Sequence, residues 1–109
     1  MPYNQQLAER IRVLLKGNKR LEEKKMFGGV GFLINGNMAC GVHKDALILR
    51  LGEEDFQAAL KSPHARIFDM TGKPMKGWVL VSKEGYASEK ALQDWVRDST
   101  DFARSLPAK

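Results

Sequence analysis

Asn35-Gly36 separates two apolar runs, Lys25–Ile34 before it and Met38–His43 after it. Asn and Gly both accept the positive φ that a two-residue hairpin turn demands, so this pair is a strong local signal for antiparallel strands. A second turn at Lys44-Asp45 leads into Ala46-Leu47-Ile48-Leu49-Arg50-Leu51. Alternation there puts Leu47, Leu49 and Leu51 on one face and Ile48 and Arg50 on the other. The centre of the chain therefore reads as a three-stranded antiparallel meander. Gly28, Gly29 and Gly31 fall within its first strand, which implies a bulge or another backbone lying close.

The flanking segments follow helical spacing. Asn4 can cap a first helix to about Lys16, whose Leu7, Ile11, Leu14 and Leu15 form one stripe, and Gly17-Asn18 ends it. Gly52-Glu53-Glu54-Asp55 opens a second helix, its acids complementing the positive end of the dipole. Phe56, Ala59 and Leu60 are its apolar side, and Ser62-Pro63 stops it. Arg66–Met70 and Trp78–Ser82 read as two short strands joined by the loop 71–77. Ser88 caps a last helix through about Ala103, with Leu92, Trp95, Val96 and Phe102 on its inward stripe. The predicted order is α-β-β-β-α-β-β-α. This is an α+β fold in which helices cover a mostly antiparallel five-stranded sheet.

At 109 residues with 43% hydrophobic content, the chain suits one domain over 1–109 with one core. No stretch approaches the roughly 18 apolar residues of a membrane span, so no membrane partner is expected. The start, Met1-Pro2-Tyr3-Asn4, lacks the layout of a signal peptide. A single cysteine, Cys40, excludes an internal disulfide, and with five methionines it fits a reducing, cytoplasmic location. The net charge is +5, and residues 1–25 hold seven Lys/Arg against three Glu. Arg10, Arg12, Lys16, Lys19, Arg20, Lys24 and Lys25 form either a solvated helix face and loop or a surface for acidic partners.

Several reaction chemistries fail on spacing. A dinucleotide fingerprint counted from Gly29 needs its third glycine at position 34, which is Ile34, and a strand rather than a helix follows. Cys40 and His43 are three apart on a strand and so point to opposite faces, which is poor geometry for one metal ion. Cys40 reads as a small core residue. No Gly-x-Ser-x-Gly elbow occurs, and the acids cluster in helix first turns or on wet faces. We expect no enzyme, cofactor or metal. The loop Lys73-Pro74-Met75-Lys76-Gly77-Trp78 places two ammonium groups beside an indole. It is either a phosphate-gripping, base-stacking element or a rigid turn with Trp78 as a core anchor.

The run Glu23-Lys24-Lys25-Met26-Phe27-Gly28-Gly29-Val30-Gly31-Phe32 resembles the signature of the N-terminal domain of the TfoX/Sxy competence regulators. Leu33–Met38 with Gly41-Val42, and Phe68–Val79 with its Gly72-Lys73-Pro74-Met75, resemble further parts of that pattern. The likeness covers roughly residues 4–107. It implies a compact α+β domain, a link to transcription regulation of natural competence, and no catalytic residues. The full-length regulators carry a second, C-terminal domain, and the likeness here is to the N-terminal one.

The leading expectation is a non-catalytic, regulatory protein-interaction module with a protein partner or itself, as a homodimer. Its candidate surface is Lys24, Lys25, Met26, Phe27, Gly28, Gly29, Lys73, Pro74, Met75 and Lys76. The second is direct nucleic-acid binding through Arg10, Arg12, Lys16, Lys19 and Arg20, helped by the lysines of both motifs. The third is a small-ligand protein or an enzyme of unknown chemistry, which needs a deep pocket.

Overall fold

The computed structural model of the chain describes residues 3–26, 28–69 and 75–108, with the backbone alone at Met26 and Met75. Three helices, α1 (Gln5–Leu15), α2 (Glu53–Ala59) and α3 (Glu89–Ser105), accompany one sheet. Its strands are β1 (Leu21–Met26), β2 (Gly29–Ile34), β3 (Asn37–His43), β4 (Ala46–Arg50), β5 (Ala65–Phe68) and β6 (Met75–Val81). A short 3-10 helix, Lys83–Tyr86, precedes α3. The spatial order is β1-β2-β3-β4-β6-β5, with every neighbouring pair antiparallel.

The sheet has six strands, where the sequence predicted five. Gly28 has φ of 73°, so the chain reverses there and the glycine run joins two strands. β1 reads Leu-Glu-Glu-Lys-Lys-Met, with no apolar alternation to announce it, because an edge strand can leave both faces of its middle residues in water. The expectation that another backbone lies close is met at Gly29. A Cβ built there would collide with the Val42 carbonyl oxygen.

The Asn35-Gly36 turn is present, with φ of 56° and 81°, and joins β2 to β3. Between Phe32 and Leu33 the register slips, so Ala39 is an extra residue in β3. Asn4 caps α1, accepting from the Leu7 N–H at 3.0 Å, and Ser88 caps α3, accepting from the Ala91 N–H at 3.1 Å.

The helices pack on one face of the sheet. There Leu7, Ile11 and Leu15 of α1, Phe56 of α2 and Leu92 and Val96 of α3 meet Val30, Phe32, Cys40, Val42, Leu47, Leu49, Val79 and Val81. Leu47, Leu49 and Leu51 all lie in this core, as their alternation predicted. The opposite face carries a second apolar cluster, Leu33, Met38, Ile48, Phe68 and Leu80, to which no described helical residue contributes. Read across that face, the register runs Lys24, Gly31, Gly41, Ile48, Leu80, Arg66. Basic residues stand at both edges of a row whose middle is apolar.

Candidate functional site

The basic N-terminal residues divide into two groups. Arg10 of α1 is engaged: its Nε meets Glu89 Oε1 at 2.9 Å, and Nη2 donates to the Tyr86 carbonyl at 3.2 Å. Arg12 is engaged as well, to Glu23 through Nε at 2.7 Å and to Glu9 through Nη1 at 3.1 Å. Lys24 sits 4.0 Å from Glu22. Lys16, Lys19, Arg20 and Lys25 are exposed, and among the described residues none has an ion-pair partner. The free positive charge is thus smaller than the sequence count and gathers at the end of α1, the loop after it and β1.

The two motif segments end up far apart. Lys24 and Lys25 lie on β1, whereas Met75 and Lys76 begin β6, with β2, β3 and β4 between. Four strand spacings amount to roughly 19 Å. Lys76 lies 3.7 Å from Glu53 at the start of α2. Phe27, Lys73 and Pro74 fall outside the described residues. Gly28 is exposed at the hairpin turn, and Gly29 is buried against β3. Trp78 is half-buried on the helix-free face, with the Arg50 guanidinium 5.6 Å from its ring centre.

Cys40 and His43 do face opposite ways. Cys40 is buried under the helices, and burial pushes its thiol pKa up to about 12, opposed by a hydrogen bond with Ser99. His43 lies on the other face, its ring 6.4 Å from that of Phe68. A thiol held protonated is a poor nucleophile. Among the described residues no three His, Cys, Asp or Glu gather as metal ligands, and no helix is long and apolar enough to cross a membrane.

A family model described as the TfoX N-terminal domain matches residues 13–103. This chain belongs to the TfoX N-terminal domain family. It is a competence-regulator-like domain, as the two glycine-bearing motifs implied. The matched region opens in the last turn of α1 and closes in α3, so it holds the six strands found among the described residues of the TfoX domain. No curated protein and no solved structure matches the chain.

One feature of this TfoX domain escaped the sequence reading. The β3–β4 turn, β5, the end of β6 and the first residue of the 3-10 helix enclose a cleft of about 530 Å³ on the helix-free face. Its floor is Ala46, Leu80 and Phe68, and its rim carries Lys44, Arg66 and Lys83 with Asp45 and Asp69. The rim comes from four segments spread over residues 43–83, so no local motif announces it. The only available signal was alternation, which places Arg66 and Phe68 on one face of their strand.

Proposed function

We propose that this TfoX domain is a non-catalytic regulatory module that works by association, pairing with a second copy of itself along β1. The observation that carries this reading is the charge order of that edge. β1 ends the sheet, and no described strand pairs with its outer side. A closed pair of identical edge strands is antiparallel about a two-fold axis normal to the sheet, so residues on the same face oppose each other. Centred on Glu23, this pairing sets Glu22 opposite the second copy's Lys24, twice. Glu23 meets its own counterpart at the axis, but each is already neutralised by its Arg12. Each cross-strand pair contributes roughly 0.2–1 kcal/mol. A charged edge also repels indiscriminate strands, so the same residues supply selectivity.

Light scattering on size-exclusion fractions tests the reading. The native chain is expected to dimerise, Lys24→Glu to be monomeric, and the swap Glu22→Lys with Lys24→Glu to dimerise again. A native chain that stays monomeric at high micromolar concentration sinks it, as does a Lys24→Glu dimer.

Lys16, Lys19, Arg20 and Lys25 favour a second reading, direct nucleic-acid binding, because they are exposed and among the described residues have no ion partner. Four phosphate contacts predict that log affinity for duplex DNA falls with log salt at a slope of about −3.6. Fluorescence anisotropy of labelled DNA at two salt concentrations measures it, and no binding at low salt removes the idea.

A further inference from the structure

The cleft on the helix-free face combines three properties that suit a ligand site. Its volume of about 530 Å³ lies within the roughly 300–1,000 Å³ typical of small-molecule sites. Its floor is apolar, with Leu80 and Phe68 both part of the second apolar cluster. Three cations from separate segments stand on its rim, Lys44 from the β3–β4 turn, Arg66 from β5 and Lys83 from the 3-10 helix. Among the described residues these three have no carboxylate within ion-pair distance. That sets them apart from Arg10, Arg12 and Arg97, which are all paired.

The rim is also held in place. The Asn4 N–H donates to the Lys44 carbonyl at 2.7 Å, and the Tyr86 hydroxyl donates to the Asp45 carbonyl at 2.5 Å. These bonds bolt the β3–β4 turn to the N-terminus and to the 3-10 helix. On the opposite rim, the Ser82 N–H donates to the His64 carbonyl at 2.8 Å, fixing the entry to β5. Walls fixed before a ligand arrives lower the ordering cost of binding. A second hollow of about 290 Å³, reaching Pro63 and His64, shares Ala46, Arg66, Leu80 and Ser82 with the first. The trough therefore continues along β5 past Arg66.

We propose that this trough binds an anionic small molecule of mononucleotide size, a phosphate carried on a planar, largely apolar body. The planar body lies over Ala46, Leu80 and Phe68. The phosphate meets Arg66, whose planar fork suits two phosphate oxygens, with Lys44 and Lys83 as point charges beside it. Asp45 and Asp69 accept hydrogen bonds from hydroxyl or amino groups, which favours a nucleotide over a simple acyl phosphate. The proposal stands apart from self-association, since β1 and β5 are opposite edges of the sheet.

The test is an amide NMR titration of the full chain with AMP, and separately with adenosine and with inorganic phosphate, at constant ionic strength. AMP is expected to give saturable shifts at residues 43–46, 66–69 and 82–83. The exposed-site variant Arg66→Ala with Lys83→Ala is expected to weaken AMP at least tenfold while melting like the native chain. Adenosine and phosphate are each expected to bind more weakly than AMP. The proposal is overturned if millimolar AMP gives no saturable shift, if the shifts map to residues 16–25, or if the double variant binds AMP unchanged. Phosphate binding as tightly as AMP overturns it too, by showing that the apolar floor takes no part. Should the double variant melt lower, Lys83→Ala alone provides the same comparison.

Discussion

Arg12 on α1 holds Glu23 on β1 through two hydrogen bonds, Nε to Oε1 at 2.7 Å and Nη2 to Oε2 at 2.8 Å, so the first helix is clipped to the sheet's edge. Those bonds hold the Glu23 carboxyl below the usual carboxylate range, against an opposing push from burial. The folded chain thus releases this proton more readily than the unfolded one. The contribution is fully present above the unfolded glutamate value of about 4.3 and is lost as pH falls through the lower folded value. Both side chains are about a third exposed (35% and 38%), so Glu23→Gln is expected to cost no more than about 1 kcal/mol at neutral pH. Urea unfolding at pH 7 and at pH 3 checks this. The difference between the native and Gln chains should be smaller at the second than at the first.

Cys40 predicts the opposite pH slope. Its thiol stays protonated in the fold up to about 12 because burial disfavours the thiolate. The unfolded thiol ionises near 8.5, so stability is whole below that value and falls as pH rises toward the folded value, by about 2 kcal/mol at pH 10. Cys40→Ala should flatten that slope. In native protein an aromatic disulfide reagent should label Cys40 only at the rate of global opening, measured against urea-unfolded chain.

The glycines of the β1–β2 turn and the β2–β3 ladder are structural, and they are not equivalent. A Cβ at Gly29 meets the Val42 carbonyl oxygen, and one at Gly41 lies 2.6 Å from the Val30 carbonyl oxygen. Neither backbone can retreat without breaking the β2–β3 ladder. Gly29→Ala and Gly41→Ala are each expected to cost about 3 kcal/mol or more. Gly28 has open space around it and only a positive φ to satisfy, so Gly28→Ala should cost about 1–2 kcal/mol. Thermal melts of the three variants give the ranking directly.

Ile48 and Leu49 are adjacent on β4, both fully buried, yet in different clusters. If the helix-free face is a true second core, Ile48→Ala should destabilise the chain about as much as Leu49→Ala, roughly 2–5 kcal/mol each. An Ile48→Ala variant that melts like the native chain would show that this face contributes little to stability.

The elements legible in the sequence were those with a local cause. Asn35-Gly36 fixed one hairpin because few residues tolerate its φ angles. Asn4 and Ser88 marked helix starts through their side-chain oxygens, and Leu47, Leu49 and Leu51 assigned a face through period two. β1 was missed because its Glu-Glu-Lys-Lys centre carries no apolar period. The start of β6 at Met75 was missed because Lys76 and Gly77 interrupt the pattern. Of the candidate site, the sequence supplied the basic residues but not their state. Charges at Arg10, Arg12 and Lys24 counted as free until α1, β1 and α3 brought glutamates against them.

The order of turns, caps and apolar periods was determined by the sequence alone, because each depends on residues within a few positions of one another, and the motifs of the TfoX N-terminal domain family are legible there too. Which strands stand at the edges, which cations stay unpaired, and the meeting of Lys44, Arg66 and Lys83 around one apolar floor were decided only by the tertiary structure. Those are distances between residues remote in the chain, set by how β4, β6 and β5 align once the helices have covered the other face.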